Sequence, residues 1–268
     1  MKKVSLFLIC CVCTTALFSQ TLQNKKGDVI LPEAGDWGIS VSADPIFNFI
    51  GNLIGSNGQN TSPYLNFLSG NNLIMVKYYK EDKLAYRGGI RLGLDYDRVV
   101  SKVRQLPQVE PIIYVDDITH TRSSNIVLTA GIEKRFGKTR LQGYYGAEAG
   151  LQYNHQSMNR SFGNPLSSNN PGQQMVRADS GVGIGLGARA FIGLEYFIFP
   201  KISLGGEFGW GVAAFYRSEG EQVVKYFNAN LVQTNIYPTG SVFQFGADNN
   251  ASSSIFGPMG RIRINFHL

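Results

Sequence analysis

Cysteine, histidine and long apolar runs are the scarce commodities of this sequence. Its three cysteines, Cys10, Cys11 and Cys13, all stand before residue 14. Nothing downstream can form a disulfide, a thiolate metal site or a thiol nucleophile. The three histidines, His120, His155 and His267, are scattered, so no metal-ligand spacing arises, which argues against zinc. Beyond Phe18 no apolar run reaches the ~18 residues that a helical membrane span requires. The charge bias is mild, with 25 Lys and Arg against 19 Asp and Glu and no basic block, which argues against a nucleic-acid partner. A mean hydropathy of −0.08 does not exclude a membrane protein, because alternating strands average to near zero.

The N-terminus carries Met1-Lys2-Lys3 and then the apolar run Val4 to Phe18. A charged n-region before an h-region too short to span as a helix predicts an export signal over 1–19. Cleavage between Ser19 and Gln20 is expected; cleavage after Ala16 is the alternative, since Leu17 is large for the −3 position. A lipoprotein site wants a small residue before its cysteine, but Ile9 precedes Cys10 and Val12 precedes Cys13. Loss of Lys2 and Lys3 would take 25 basic residues to 23, against 19 acidic, a net charge of +4. Residues 20–35 are polar and aperiodic and read as a periplasmic tail, leaving 36–268 for the folded body.

That body alternates. From Val182 to Ile198 the even positions are apolar, while the odd ones are Gly181, Gly183, Gly185, Gly187, Arg189, Gly193 and Glu195 with one Phe191. After Pro200-Lys201, Ile202, Leu204, Phe208, Trp210, Val212 and Tyr216 share one face, and Ser203, Gly205, Glu207, Gly209 and Gly211 the other. Period 2 held well beyond the ~5–6 residues of an ordinary strand, apolar outside and small or charged inside, predicts a transmembrane barrel with a polar lumen. The same alternation recurs from Trp37, Ile74, Leu84, Ile126, Leu141 and, last, across Ile255 to Leu268, where Phe256 is expected outward and Gly257 inward.

The fold class is thus all-β, an antiparallel up-and-down barrel of eight strands. Short turns at 81–83, 137–139 and 199–201 alternate with long connections, expected as loops over 98–123, 155–178 and 218–252; within the first, Val109 to Val115 would suit an extension of the strands above the membrane. Short periplasmic turns and long outer loops are the outer-membrane arrangement. Val223–Tyr237 and Val242–Gly246 would make ten strands, but polar residues spoil both faces, and an exposed hairpin above the membrane is preferred. Asp44-Pro45, followed by Ile46, Phe49, Ile50 and Leu53, predicts a short amphipathic rim helix.

With those residues in view, the chain resembles the small outer-membrane barrels of the OmpA-transmembrane and OmpX type. Gln20 after the signal and the Gly35-Asp36-Trp37 strand start look like barrels of the Bacteroidota. The resemblance implies an architecture over about 36–268 and says little of activity. Last strands of that family usually end in phenylalanine; here Phe266 is two residues early and Leu268 is terminal.

Candidate sites follow from the inward face. Lys77, Arg87, Arg91, Asp95, Glu133, Arg135, Glu148, Arg189, Glu195, Glu207, Arg261 and Arg263 are expected to form a lumen charge network, since an eight-stranded barrel is just wide enough to be filled and lone buried ions are costly. The glycine row Gly181–Gly187 leaves space into which arginines would lean. Gly183 to Ala188 imitates a dinucleotide fingerprint, but no helix follows, so no nucleotide is expected. His155 and Ser157 imitate the rim pair of lipid-modifying barrels, but one His-x-Ser in a serine-rich loop is weak evidence and solvated loop residues are the preferred reading. The expectation is a non-enzymatic outer-membrane protein without cofactor. Its partners are outer-membrane lipid, lipopolysaccharide and a protein at the outer loops; a narrow channel or a lipid A-modifying enzyme are the alternatives.

Overall fold

A computed structural model describes residues 22–43, 73–108 and 110–268. The strands are β1 (Trp37–Ser42), β2 (Ile74–Glu81), β3 (Leu84–Arg104), β4 (Tyr114–Phe136), β5 (Leu141–Ser161), β6 (Gln173–Phe199), β7 (Ile202–Arg217), β8 (Gly220–Asn228), β9 (Leu231–Thr239), β10 (Val242–Ala247) and β11 (Gly260–His267), with helix α1 (Asn250–Phe256) before the last. β1 to β7 pair in sequence order. β11 closes the ring by pairing with both β7 and β1, so eight antiparallel strands make a barrel without an edge at that level. The expected signal and its junction at Ser19 and Gln20, and the expected helix from Asp44, lie outside the described residues.

Register fixes which face is which. Tyr86, Ile132, Ala147, Ala190 and Trp210 stand opposite one another from β3 to β7 and face out. One residue along, Arg87, Gly131, Glu148, Arg189 and Gly211 form the matching inner row. Slipping any pairing by one residue would exchange the two sets, so alternation and register enforce each other.

The turn at Pro200-Lys201 and the β8–β9 turn at Ala229-Asn230 use non-glycine residues with positive φ (Lys201 60°, Ala229 47°, Asn230 62°). The second has both central residues there, the geometry that matches strand twist in a two-residue hairpin.

Three expected loops are in large part strand. β3 and β4 stay paired out to Arg104 and Tyr114, and β5 pairs with β6 as far as Asn159 and Arg177. β8 continues upward from β7 and pairs with the top of β6, from Asp179↔Glu221 to Gln173↔Tyr226. β9 returns along β8, and β10 then pairs with the upper part of β7 (Phe245↔Ala214). Polar residues on both faces hid these strands, because above the bilayer neither face needs to be apolar. The ring keeps eight strands: β8 and β9 are an exposed hairpin, and β10 and β11 are two lengths of one wall position.

The expected last strand from Ile255 is also corrected. Between β10 and β11 the chain leaves the wall as α1, and Phe256, expected outward, is buried inside at 2% exposure. The described part of the tail packs on the barrel. Ile30 is buried, Gly35 N–H donates to the Tyr79 carbonyl at 2.7 Å, and Lys201 N–H donates to the Ile30 carbonyl at 3.1 Å. It packs under the rim that carries the short turns.

Candidate functional site: the filled lumen

The lower lumen is a balanced charge cluster. Glu195 on β6 accepts from Arg135 Nη2 at 2.6 Å, Asn265 Nδ2 at 3.0 Å and the Ser203 hydroxyl, with His267 Nε2 at 3.0 Å. Glu133 on β4 accepts from Lys77 Nζ at 2.9–3.0 Å and from Arg135 Nη1 at 2.8 Å. Tyr79 meets His267 Nδ1 at 3.1 Å, and its hydroxyl accepts from Arg135 Nη1 at 3.2 Å. Two carboxylates face Lys77 and Arg135 here, all of them buried.

The layer above is arginine-rich. Arg87 reaches Glu207 at 2.8 Å and Glu148 at 3.1 Å. Arg189 bonds Glu207 and lies 3.4 Å from Glu148; Arg261 Nε is 3.7 Å from Glu207. Arg263 Nη1 donates to the Leu73 carbonyl at 3.3 Å. The Arg87 guanidinium also lies 3.9 Å from the centre of the Phe191 ring, so apolar surface covers the pair from one side.

Higher still, α1 plugs the lumen. Asn249 caps it by accepting from Ser252 N–H at 3.1 Å, and Gly257, at φ 79°, ends it by donating to the Ser253 carbonyl at 2.8 Å. Ala251, Ile255 and Phe256 join Leu73, Met75, Val127 and Ala213 in an apolar cluster inside the barrel. Gly187 of the glycine row and Gly150, its partner on β5, make the room. A Cβ at Gly150 would stand 2.5 Å from Ile255 Cγ2, and one at Gly187 2.8 Å from the Phe256 ring. The space expected to receive arginines is thus partly taken by a helix. Ser254 Oγ donates to Gln152 Oε1 at 2.7 Å, and Arg91 donates to the Ser254 carbonyl, which tether α1 to the wall.

Of the twelve charges assigned to the lumen from sequence, eleven are buried there: Lys77, Arg87, Arg91, Glu133, Arg135, Glu148, Arg189, Glu195, Glu207, Arg261 and Arg263. Asp95 is exposed, because β3 has by then climbed past β2 and stands above the filled section. Residues that charge-counting missed are Tyr79, Ser203, Asn265 and His267, inward by the same alternation but neutral or weakly charged. Helix α1 was missed as well. Its signals were Asn249, the Ala251–Ile255 spacing and Gly257, bracketing a stretch too short and too serine-rich for periodicity to detect.

Gly183 to Ala188 runs straight through β6, with no helix for a nucleotide. At the upper rim His155 Nε2 lies 3.1 Å from Asp179 Oδ1, whereas Ser157 stands across from Asp179 past a register shift and makes no hydrogen bond to His155 among the described residues. Burial pushes the Asp179 carboxyl upward, but the Gly181 N–H and His155 outweigh it and hold the group below its ordinary value. No group of three potential metal ligands occurs among the described residues.

No family model matches the sequence, and no characterised protein matches it by sequence. Among solved structures, the chain is similar to the outer membrane protein OprG from Pseudomonas aeruginosa, at 11% identity and a TM-score of 0.31, over 89% of this chain and 98% of that one. It is also similar to CarO of Acinetobacter baumannii, at 12% identity and a TM-score of 0.29, over 88% and 98%. Superpositions this loose carry no argument; the barrel assignment stands on the strand pairing of this chain itself.

Proposed function

We propose that this chain is an integral protein of the bacterial outer membrane, a non-enzymatic anchor that holds tall hairpins at the cell surface. The observation that carries the reading is the inversion of polarity. Leu94, Leu186, Ile192 and Leu194 on the outer wall are more than half exposed, while arginines and glutamates are buried within. So continuous an apolar belt on a closed barrel suits lipid and not water. Aromatic residues such as Trp37, Tyr78, Tyr86, Tyr196 and Trp210 lie on the outer face, as interfacial anchors do.

The filled lumen favours anchoring over conduction. The charge network and α1 lie in series along the axis, so an ion would have to displace both. The surface hairpins β3–β4, β5–β6 and β8–β9 carry the role at the surface, with lipid, lipopolysaccharide and a surface protein as partners. Kinship with the OmpA-transmembrane and OmpX barrels of the Bacteroidota belongs to this proposal and rests on the Gly35-Asp36-Trp37 start.

The test is conductance of the purified full chain in planar bilayers, paired with protease treatment of intact cells. No reproducible unitary current, together with cleavage within the β8–β9 hairpin from outside, supports the reading. Steady unitary steps would replace it with the narrow channel. A protein that stays soluble without detergent would remove both.

A further inference from the structure

The charges in the lumen do not balance evenly along its axis. Glu133 and Glu195 face Lys77 and Arg135 in the lower cluster, two against two. In the layer above, Arg87, Arg189, Arg261 and Arg263 share Glu148 and Glu207; Arg87 also lies 3.5 Å from Glu133, a carboxylate already counted against Lys77 and Arg135. All six side chains are at most 5% exposed. Every acidic residue of the chain except Asp44 lies within the described residues, so even Asp44 brought to this layer would leave a cation in excess. An uncompensated buried guanidinium is far costlier than a paired one, and arginine does not shed its proton to escape the cost.

The donors left over point the same way. Arg189 Nη1, Arg261 Nη2 and Arg263 Nε are buried and make no hydrogen bond within the described chain. They belong to β6 and β11, which flank β7 on either side, and Glu207 of β7 lies between Arg189 and Arg261. Phe256 of α1 lies on one side, its ring centre 5.9 Å from the Arg189 guanidinium, and Glu133 of the lower cluster lies on the other, 3.5 Å from Arg87, so the layer sits between packed groups that suit a small ligand.

We propose that this layer is a binding site for a small inorganic anion of halide size, held by Arg189, Arg261 and Arg263 beneath α1. The anion completes the charge balance of the lumen and is a structural component of the folded barrel. The proposal requires ring closure and not any particular role at the cell surface, so it survives either outcome of the conductance test.

The probes are chloride and bromide. Thermal unfolding of the full chain in detergent is followed at constant ionic strength while gluconate is exchanged for chloride. The midpoint should rise with chloride and saturate. Crystals grown in bromide should show an anomalous peak within hydrogen-bonding distance of Arg189 and Arg261. In Arg261→Lys, which keeps the charge but loses the planar fork, the half-saturating chloride concentration should rise by about tenfold or more. An unsaturable or absent chloride effect in the wild type would overturn the site. So would a bromide peak without any change in melting, which marks an adventitious ion only. Should Arg261→Lys fail to fold, the two wild-type measurements still decide the matter.

Discussion

Replacing Gly150 by alanine tests whether α1 occupies the lumen. The new methyl would stand 2.5 Å from Ile255 Cγ2 and 3.0 Å from the Phe256 ring, both on a helix held at two points, by Gln152 and Arg91. Overpacking of a filled interior typically costs about 1–3 kcal/mol. Ile255 is fully buried, so Ile255→Ala should cost about 2–5 kcal/mol through lost contacts and a residual cavity. The informative quantity is the coupling. Shortening Ile255 removes the atom that the Gly150 methyl would strike, so the double variant should be more stable than the sum of the single costs by about 0.5–3 kcal/mol. Urea unfolding in lipid vesicles measures all four proteins. The fluorescence of Trp37 and Trp210, both on the outer wall, reports the transition. Additive costs, or an alanine at Gly150 without effect, would show that α1 does not sit against this wall and would refute the plugged lumen.

Three further perturbations probe other parts of the structure. Glu195→Gln keeps the shape but turns a carboxylate that serves four donors into an amide; with Arg135 left short of a buried partner, about 3–5 kcal/mol of unfolding stability should be lost, and a denaturation curve matching the wild type would count against the network. Ile30→Ala should cost about 2–5 kcal/mol if the tail is part of the fold; an unchanged curve would mean that the tail hangs free. The Asp179 carboxyl is held below its ordinary value of 3.8, so its contacts to Gly181 and His155 stabilise the rim fully above that pH and lose their effect as pH falls through the lowered value. Hydrogen exchange at the Gly181 amide should therefore show protection in mildly acid and neutral solution that disappears in strong acid; the same loss in acid persisting in Asp179→Asn, whose amide oxygen still accepts but does not titrate, would disprove the linkage.

Alternation was a sufficient guide wherever the wall separates lipid from a crowded interior. Leu186 and Arg189 differ by an odd number of positions, so one must face hydrocarbon when the other faces the lumen. Local sequence alone therefore placed eleven lumen charges. Asp95 obeys the same alternation but lies above the level where β2 still stands beside β3, and alternation carries no information about height. The raised strands were unreadable for the related reason that water on both faces leaves no hydrophobic period.

What the sequence determined by itself is the closed, inside-out barrel, because lipid outside and pairing inside impose opposite demands on successive residues. Only the tertiary structure decided what fills it. Ile255 and Phe256 are apolar at the end of a strand-like pattern and would suit lipid equally well on local grounds. They turn inward because Gly150 and Gly187, far away in the chain, leave space there, and that match exists only after β5, β6 and β7 have closed around it. The gathering of Arg87, Arg189 and Arg261 about Glu207 is likewise a product of closure, since charges from four strands meet only across the axis of the finished ring.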